Sequence, residues 1–148
     1  MNTMASWENV RSTLIGLAVN ARERAYAPYS KFQVGCAVLA EDPKSTWLRY
    51  FTGVNIENAS YGLTICAERV AIFNAIEAGY TRIHALACCA PSSPSVVGTS
   101  CGACRQVMNE FHSKMKVVYV DDAGQVYMET TAENLLPKAF TLGVEYER

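Results

Sequence analysis

The spacing of apolar residues along the chain changes between a helical period and a strand period, and this predicts the first three elements. After Ser6, the expected N-cap, apolar residues recur at every third or fourth position, which predicts a helix running to about Ala25. The next apolar runs, Phe32–Leu39 and Trp47–Val54, are separated by turn residues at 42–45. The two runs therefore predict a hairpin of two strands after the first helix.

The rest of the chain alternates between helical and extended patterns, which predicts the layout of the fold. The remaining predicted elements are a loop at Asn55–Thr64, a helix from Cys66 to Gly79, a strand at Arg82–Ala90, a flexible connection at Pro91–Thr99, a helix from Cys101, strands at Lys116–Val120 and Gln125–Glu129, and a short helix opened by a capping box at Thr130–Glu133. In the Cys66 helix, the residues expected to face the core are Val70, Ile72, Phe73 and Ile76. This order predicts an α/β fold: a three-layer α/β/α sandwich around one mixed sheet of about five strands.

Composition and charge favour a globular enzyme-sized domain over a disordered or polyanion-binding chain. The chain has 148 residues, of which 50% are apolar and 18% charged, and its formal net charge is −1. We expect one catalytic domain over residues 1–148 and no nucleic-acid partner. The first thirty residues show neither a signal peptide nor an apolar span. No membrane partner is therefore expected, and the predicted location is cytoplasmic.

The chain has six cysteines, and their positions say more about its function than its composition does. Without a secretion signal they are expected to be reduced. Cys36, Cys88 and Cys89 lie inside apolar runs and are predicted to be small core residues. The other three stand in the sequences I-C-A-E-R, at Ile65–Arg69, and S-C-G-A-C-R-Q, at Ser100–Gln106, where two helices are predicted to begin.

Cys66, Cys101 and Cys104, together with Glu68, have the residue types of a catalytic zinc site. A structural zinc is closed by four protein ligands, whereas a catalytic zinc has three and keeps a position for water. Zinc lowers the pKa of a bound water towards about 7, and a nearby carboxylate such as that of Glu68 carries the protons. The four residues therefore predict hydrolytic chemistry.

The neighbours of these residues extend the predicted site. Helix N-termini favour the thiolate form of cysteine, and Arg69 and Arg105 are placed to offset the net charge of three thiolates and one Zn²⁺. On a regular helix Cys66 and Glu68 point about 200° apart, so Glu68 is not expected to be a ligand.

Residue type and spacing alone leave other interpretations of the candidate site residues open. By spacing alone, the three cysteines also fit one core cysteine with a redox C-x-x-C pair. Glu57 and Glu68 also fit solvated surface charges, and Phe32 and Phe140 also fit core positions. The two histidines, His84 and His112, are expected to lie away from any zinc.

Longer stretches of the chain resemble a known family. Cys66-Ala67-Glu68 with the later Cys101-Gly-Ala-Cys104 is similar to the three-cysteine form of the zinc deaminase signature. Phe51–Arg69, Ala27–Gly35 and Leu135–Phe140 resemble the corresponding stretches of the cytidine deaminase family. The resemblance spans most of the chain, and it implies zinc-dependent hydrolytic deamination of cytidine and deoxycytidine to uridine and deoxyuridine, with release of ammonia, in pyrimidine salvage.

The resemblance also implies roles for individual residues. The expected zinc ligands are Cys66, Cys101 and Cys104, and Glu68 is the expected proton shuttle. The expected contacts of a nucleoside substrate are Phe32 packing on the ligand, Asn55 and Glu57 at the ribose 3′-hydroxyl, and backbone groups of Ala67 at the pyrimidine. Tyr61 and Phe140 are expected to close the pocket of a neighbouring subunit, because short members of the family are typically homotetramers with shared active sites.

The chain departs from the family pattern at two positions. The family usually has proline immediately before the first cysteine of its C-x-x-C, where this chain has Ser100, and often has proline where this chain has Gly62. Proline would stiffen the segment by about 0.4–1 kcal/mol through the unfolded state. Two other functions also fit the zinc motif: a blasticidin-type aminonucleoside deaminase, and a non-catalytic module stabilised by zinc, which would need a fourth protein ligand.

Overall fold

The computed structural model describes residues 6–92 and 98–142, which form a five-stranded sheet with helices on both faces. The elements in chain order are α1 (Trp7–Arg22), β1 (Gly35–Glu41), β2 (Leu48–Val54), a 3-10 turn (Tyr61–Leu63), α2 (Ala67–Glu77), β3 (Arg82–Cys89), α3 (Gly102–His112), β4 (Lys116–Val120), β5 (Val126–Thr131) and α4 (Ala132–Leu135). The strand order is β2-β1-β3-β4-β5, and the neighbours are antiparallel except for the parallel pair β3 and β4. The predicted mixed α/β/α sandwich is confirmed.

Strand β1 contributes side chains to both apolar cores, which explains its continuous apolar sequence. Cys36 and Val38 pack in the core formed with α2 and α3, while Ala37 and Leu39 pack in the core formed with α1. Because successive side chains of a strand point to opposite faces, a strand covered on both sides is apolar at every position. The helix α1 begins at the predicted cap, where the Ser6 hydroxyl accepts a hydrogen bond from the Asn9 amide at 3.4 Å.

Helix α2 packs unusually close to strand β2, and Gly53 makes this approach possible. A Cβ atom added at Gly53 would lie 2.3 Å from the Ala71 nitrogen and 2.6 Å from the Ala67 oxygen. The inward face of α2 is correspondingly built from small residues, with Ala67, Ala71 and Ala75 fully buried. The prediction that Phe73 faces the core is wrong: its side chain is 42% exposed, because it lies about 200° around the helix from Ala71, at the middle of the buried face.

Several predicted boundaries differ from the structure by a few residues, and two of the differences have identifiable reasons. Helix α1 ends at Arg22 because Tyr26 already pairs with the later loop: its amide donates to the Asn55 carbonyl at 3.0 Å. Strand β1 begins at Gly35 because the Asn55 side chain takes the place of regular strand pairing before it, with hydrogen bonds to the Val34 amide and the Phe32 carbonyl. Strand β3 ends one residue early, at Cys89.

The predicted capping box at Thr130–Glu133 is wrong. Thr130 belongs to β5, the N-cap of α4 is Thr131, and the Thr131 side chain makes no capping hydrogen bond. The Glu133 amide donates instead to the carbonyl of Ser113, the C-cap of α3, at 2.8 Å. The end of α3 therefore satisfies an amide in the first turn of α4. The glycine Gly79 does follow α2 as predicted, with a φ of 90° that favours glycine.

The other cysteines and both histidines lie where the sequence predicts. Cys36, Cys88 and Cys89 are buried, and burial raises the pKa of each thiol. His84 contacts Glu41 at 2.6 Å, and His112 contacts the Ile83 carbonyl at 3.0 Å, near the start of β3 and away from its cysteine-bearing end. Within the described ranges, no helix combines the length and apolarity needed to cross a membrane. Most of the predicted flexible connection, residues 93–97, lies outside the described residues.

Candidate metal centre and substrate pocket

Three cysteine sulfurs meet where the N-termini of two helices converge. Cys66 is the N-cap of α2, Cys101 is the N-cap of α3, and Cys104 lies in the first turn of α3. The Sγ atom of Cys101 is 3.8 Å from that of Cys66 and 3.5 Å from that of Cys104, and all three lie within 4.8 Å of one another. Neighbouring ligands of a tetrahedral zinc with Zn–S bonds of about 2.3 Å are about 3.8 Å apart. The sulfur triangle therefore fits a zinc ion.

The electrostatics of the cluster favour thiolate at Cys66. The pKa of Cys66 is lowered to about 5, chiefly because the Cys104 thiol donates a hydrogen bond to it and also because Arg69 is near. The same hydrogen bond, together with burial, raises the pKa of Cys104. The Arg69 Nη2 atom lies 3.6 Å from the Cys66 sulfur. Since zinc binds thiolates, this arrangement prepares the site for a cation.

Glu68 lies beside the sulfur cluster and is almost completely buried. It is 4% exposed and lines the same pocket as Cys66 and Cys101. The helical-wheel angle does not apply here, because Cys66 has extended backbone dihedrals (φ −76°, ψ 151°) and stands before the helix. Burial raises the pKa of Glu68, although its own amide and the Ser100 hydroxyl act in the opposite direction. The cluster of three sulfurs does not include this carboxylate.

The pocket beside the cluster has a volume of about 310 Å³. Its lining includes four of the residues that the sequence resemblance assigns to a substrate: Phe32, Asn55, Glu57 and Ala67. Phe32 is half-buried, and Ala67 is fully buried at the first position of α2. The fold therefore brings together residues from five separate segments of the chain at one opening.

Asn55 connects two of these segments through its side chain. Its Oδ1 atom accepts from the Val34 amide at 2.8 Å, and its Nδ2 atom donates to the Phe32 carbonyl at 2.8 Å. Because the Asn55 amide binds the backbone both at Phe32 and at Val34, it holds Phe32 at the pocket. Asn55 thus has a positioning role that the sequence alone did not indicate.

Glu57 is ionised and tied to the loop before β1. Its carboxylate accepts from the amides of Tyr29, at 2.9 Å, and Ser30, at 3.2 Å, and from the Ser30 hydroxyl. These bonds, with the Ser30 hydroxyl first, lower the pKa of Glu57. No separate pattern in the sequence pointed to Ser30, although it stands in a stretch that resembles the deaminase family.

Three of the predicted site residues lie elsewhere. Tyr61 and Phe140 are 76% and 70% exposed and do not line this pocket. Arg105 donates to oxygens rather than to the sulfurs: Nε to the Ser100 carbonyl at 2.7 Å, Nη1 to the Leu135 carbonyl at 3.0 Å, and Nη2 to the Thr99 hydroxyl at 3.3 Å. Its hydrogen bonds therefore hold the segment that leads into Cys101.

Residues 8–121 match the family model described as the cytidine and deoxycytidylate deaminase zinc-binding region. The chain belongs to this deaminase family. The matched residues contain all three cysteines of the sulfur cluster, so zinc is the cofactor of this site.

Similar proteins agree with the family assignment over most of the chain. The sequence is 47% identical to a cytidine deaminase of Halalkalibacterium halodurans over 131 residues, covering 88% of this chain and 94% of that protein. It is 45% identical to a cytidine deaminase of Sporosarcina psychrophila, covering 86% of this chain and 89% of that protein. The crystal structure of cytidine deaminase from Burkholderia pseudomallei superposes with a TM-score of 0.77 at 45% identity, covering 87% of this chain and 98% of that chain.

Proposed function

We propose that the chain is a single catalytic domain over residues 1–148 that hydrolytically deaminates cytidine and deoxycytidine. The products are uridine or deoxyuridine and ammonia, a reaction of pyrimidine salvage. The observation that supports this most is the buried carboxylate of Glu68, which lines a pocket beside a cluster of three cysteine sulfurs in a deaminase fold. A structural zinc site would have no use for such a carboxylate.

The two carboxylates of the pocket have opposite environments, which separates their roles. Burial raises the pKa of Glu68, whereas hydrogen bonds lower the pKa of Glu57. A carboxyl group with a raised pKa is suited to accept and return protons near neutral pH, while an ionised, hydrogen-bonded one is suited to bind a hydroxyl. We therefore assign proton transfer to Glu68 and sugar recognition to Glu57.

The chemistry requires protons to move from water to the departing nitrogen. A bound zinc supplies Lewis acidity, which makes hydroxide available at neutral pH. Glu68 accepts a proton from the attacking water and delivers protons to the pyrimidine ring and its amino group, which leaves as ammonia. Cys66, Cys101 and Cys104 are the proposed ligands of zinc, and Arg69 offsets part of their charge through its contact with the Cys66 sulfur.

The other pocket residues orient the nucleoside. Phe32 offers a ring for the substrate to pack on, held in place by Asn55. Asn55 and Glu57 are the proposed partners of the ribose 3′-hydroxyl, and the backbone of Ala67 that of the pyrimidine. The Arg105 guanidinium stabilises the wall on the side of Cys101, through the hydrogen bonds described above.

Replacing Glu68 by glutamine tests the proton-transfer role. Glu68→Gln should retain zinc and fold but lose about 10²–10⁴-fold in kcat, because the amide cannot carry the proton. The measurement is ammonia release from cytidine, deoxycytidine, cytosine and blasticidin S, alongside the zinc content. Glu41→Gln is the matched control, because it removes a different carboxylate of low exposure, one that contacts His84 and does not line the pocket. Activity of Glu68→Gln within threefold of the parent would refute the assignment of proton transfer. If the parent released ammonia from blasticidin S alone, the substrate would be that aminonucleoside and not cytidine.

We also propose that the active form is a homotetramer in which Tyr61 and Phe140 complete the pocket of a neighbouring subunit. Both rings are largely exposed and lie outside the lining of their own pocket. Tyr61 packs edge-on against Tyr29, whose amide binds Glu57, so it stands at the pocket rim. Closed symmetric assemblies are the usual way for a chain to cover such residues. Light scattering that shows a fully active monomer would contradict this proposal.

The proposed site of action is the cytoplasm. All six cysteines are free thiols in the structure, and a zinc site made of thiolates needs a reducing compartment. Fractionation of cells that express the protein, followed by assay of cytidine deamination, tests this proposal. Activity found outside the cytoplasmic fraction would contradict it.

A further inference from the structure

The segment Gly98–Cys101 forms one wall of the pocket and delivers a cysteine to the zinc cluster. Gly98, Thr99 and Cys101 line the pocket, while Ser100 between them is 2% exposed. Side chains from three elements hold this wall. Tyr127 of β5 donates its hydroxyl to the Gly98 carbonyl at 2.8 Å, Arg105 of α3 binds the Ser100 carbonyl, and Tyr119 of β4 binds Ser100 itself.

The contact between Ser100 and Tyr119 is a closed pair of hydrogen bonds. The Ser100 amide donates to the Tyr119 hydroxyl at 3.2 Å, and the Tyr119 hydroxyl donates to the Ser100 Oγ atom at 2.7 Å. Tyr119 is fully buried in the core beneath the sheet. A single phenol oxygen therefore fixes both the backbone and the side chain of one residue, without help from solvent.

Ser100 is the position at which this chain departs from the family's usual proline. Proline has neither an amide hydrogen nor a hydroxyl group, so it could make neither of these bonds. A buried tyrosine hydroxyl that lost both partners would be destabilising. The serine and the tyrosine are therefore matched to each other: each supplies the hydrogen-bond partner that the other needs.

We propose that Ser100 and Tyr119 act as a positioning pair that does the work of the proline ring, by fixing the backbone that sets Cys101 and Thr99 at the pocket. Two buried hydrogen bonds replace the torsional restraint of the ring. Neither residue touches substrate; both act through the placement of the segment that carries the Cys101 sulfur.

A double-mutant cycle tests this pairing. The variants are Tyr119→Phe, Ser100→Pro and the double variant, each measured for Tm, for the rate of zinc transfer to a chelator, and for kcat and KM with cytidine. In the Ser100 background, Tyr119→Phe should lower Tm and speed zinc release about tenfold, the size expected for lost buried hydrogen bonds. The value of kcat should fall by a similar factor while KM changes less than threefold.

The decisive comparison is the same tyrosine change in the Ser100→Pro background. There the Tyr119 hydroxyl has no partner in residue 100, so Tyr119→Phe should leave Tm unchanged or raise it, and should not speed zinc release further. Tyr127→Phe is the matched control. It removes a hydroxyl bound to the Gly98 carbonyl of the same wall, and its effects should be the same in both backgrounds.

Each outcome of the cycle either supports or overturns the pairing. The pairing would be overturned if Tyr119→Phe lowered Tm and sped zinc release equally in both backgrounds. It would also be overturned if the effect of Tyr127→Phe changed between the two backgrounds as much as that of Tyr119→Phe. If Ser100→Pro fails to fold, Ser100→Ala serves in its place: it keeps the amide donor and should lose only part of the coupling. Only the kinetic readout rests on the proposed deaminase function. A parent protein that releases no ammonia would refute that function, while zinc release would still test the pair.

Discussion

Gly53 should control catalysis from a position outside the pocket, because it sets the distance between helix α2 and the sheet. In Gly53→Ala, the new Cβ atom would lie 2.3 Å from the Ala71 nitrogen, 2.6 Å from the Ala67 oxygen and 2.9 Å from the Ala71 Cα atom. These atoms belong to the helix backbone and cannot rotate away. Ordinary contacts are about 3.5–4.0 Å, so α2 must recede by about 1 Å or more.

The expected magnitude follows from this displacement. Overpacking of this kind costs about 1–3 kcal/mol, which corresponds to a fall in Tm of roughly 2–12 °C for a chain of this size. Because α2 begins at Ala67, its movement displaces Glu68 relative to Cys101 and Cys104 on α3. A misplacement of about 1 Å at a reacting group can cost about 10²-fold in rate. We therefore expect kcat to fall by about that factor.

The assay is ammonia release from cytidine together with thermal unfolding and zinc content. Gly16→Ala is the matched control: an added Cβ there meets nothing within 4 Å, and alanine suits the interior of α1. This control should keep its kcat and its Tm, or gain slightly in Tm. If Gly53→Ala retains kcat within threefold and Tm within about 2 °C of the parent, the close approach of α2 does not place Glu68. A fall in Tm with an unchanged kcat would mean that the close approach of α2 matters for packing and not for catalysis.

Three further predictions concern the metal centre and the sugar side of the pocket. Cys101→Ala should lose zinc, measured by metal analysis, while the buried control Cys89→Ala should retain it; unchanged zinc in the first would end its assignment as a ligand. Glu57→Ala should bring the kcat/KM values of cytidine and 3′-deoxycytidine closer together, mainly by lowering the value for cytidine. A site built to bind a substrate hydroxyl can reject an analogue that lacks it by about 10⁴–10⁵. An unchanged ratio of the two values would mean that Glu57 does not bind the sugar. Because hydrogen bonds lower the pKa of Glu57, its contribution to stability is complete above the unfolded value of 4.5 and is lost as pH falls through the lower folded value. The fall in Tm between pH 7 and pH 3 should thus be smaller in Glu57→Gln, and an equal fall would count against the loop bonds.

The tertiary structure decided features that no local spacing contains. Phe73 is apolar, but Ala67 and Ala71 meet the sheet at Gly53, and this rotation of α2 leaves Phe73 on the solvent side of the helix. Tyr119 looks like an ordinary core residue of β4 until its hydroxyl meets Ser100. Asn55 was expected only to bind a sugar, but its amide also connects to the backbone of Phe32.

The sequence by itself determined the zinc chemistry and the order of the elements. Cys101 and Cys104 stand one helical turn apart, and Cys66 and Glu68 lie within three residues at a helix start, so their geometry is largely local. The strands β1 and β3 follow from apolar runs, since burial on both faces demands them. Which atoms meet across the sheet depends instead on strand register and on the distance of each helix from the sheet. Those quantities are set by contacts between residues far apart in the chain, and so the pocket wall and the pairing of Ser100 with Tyr119 required the folded structure.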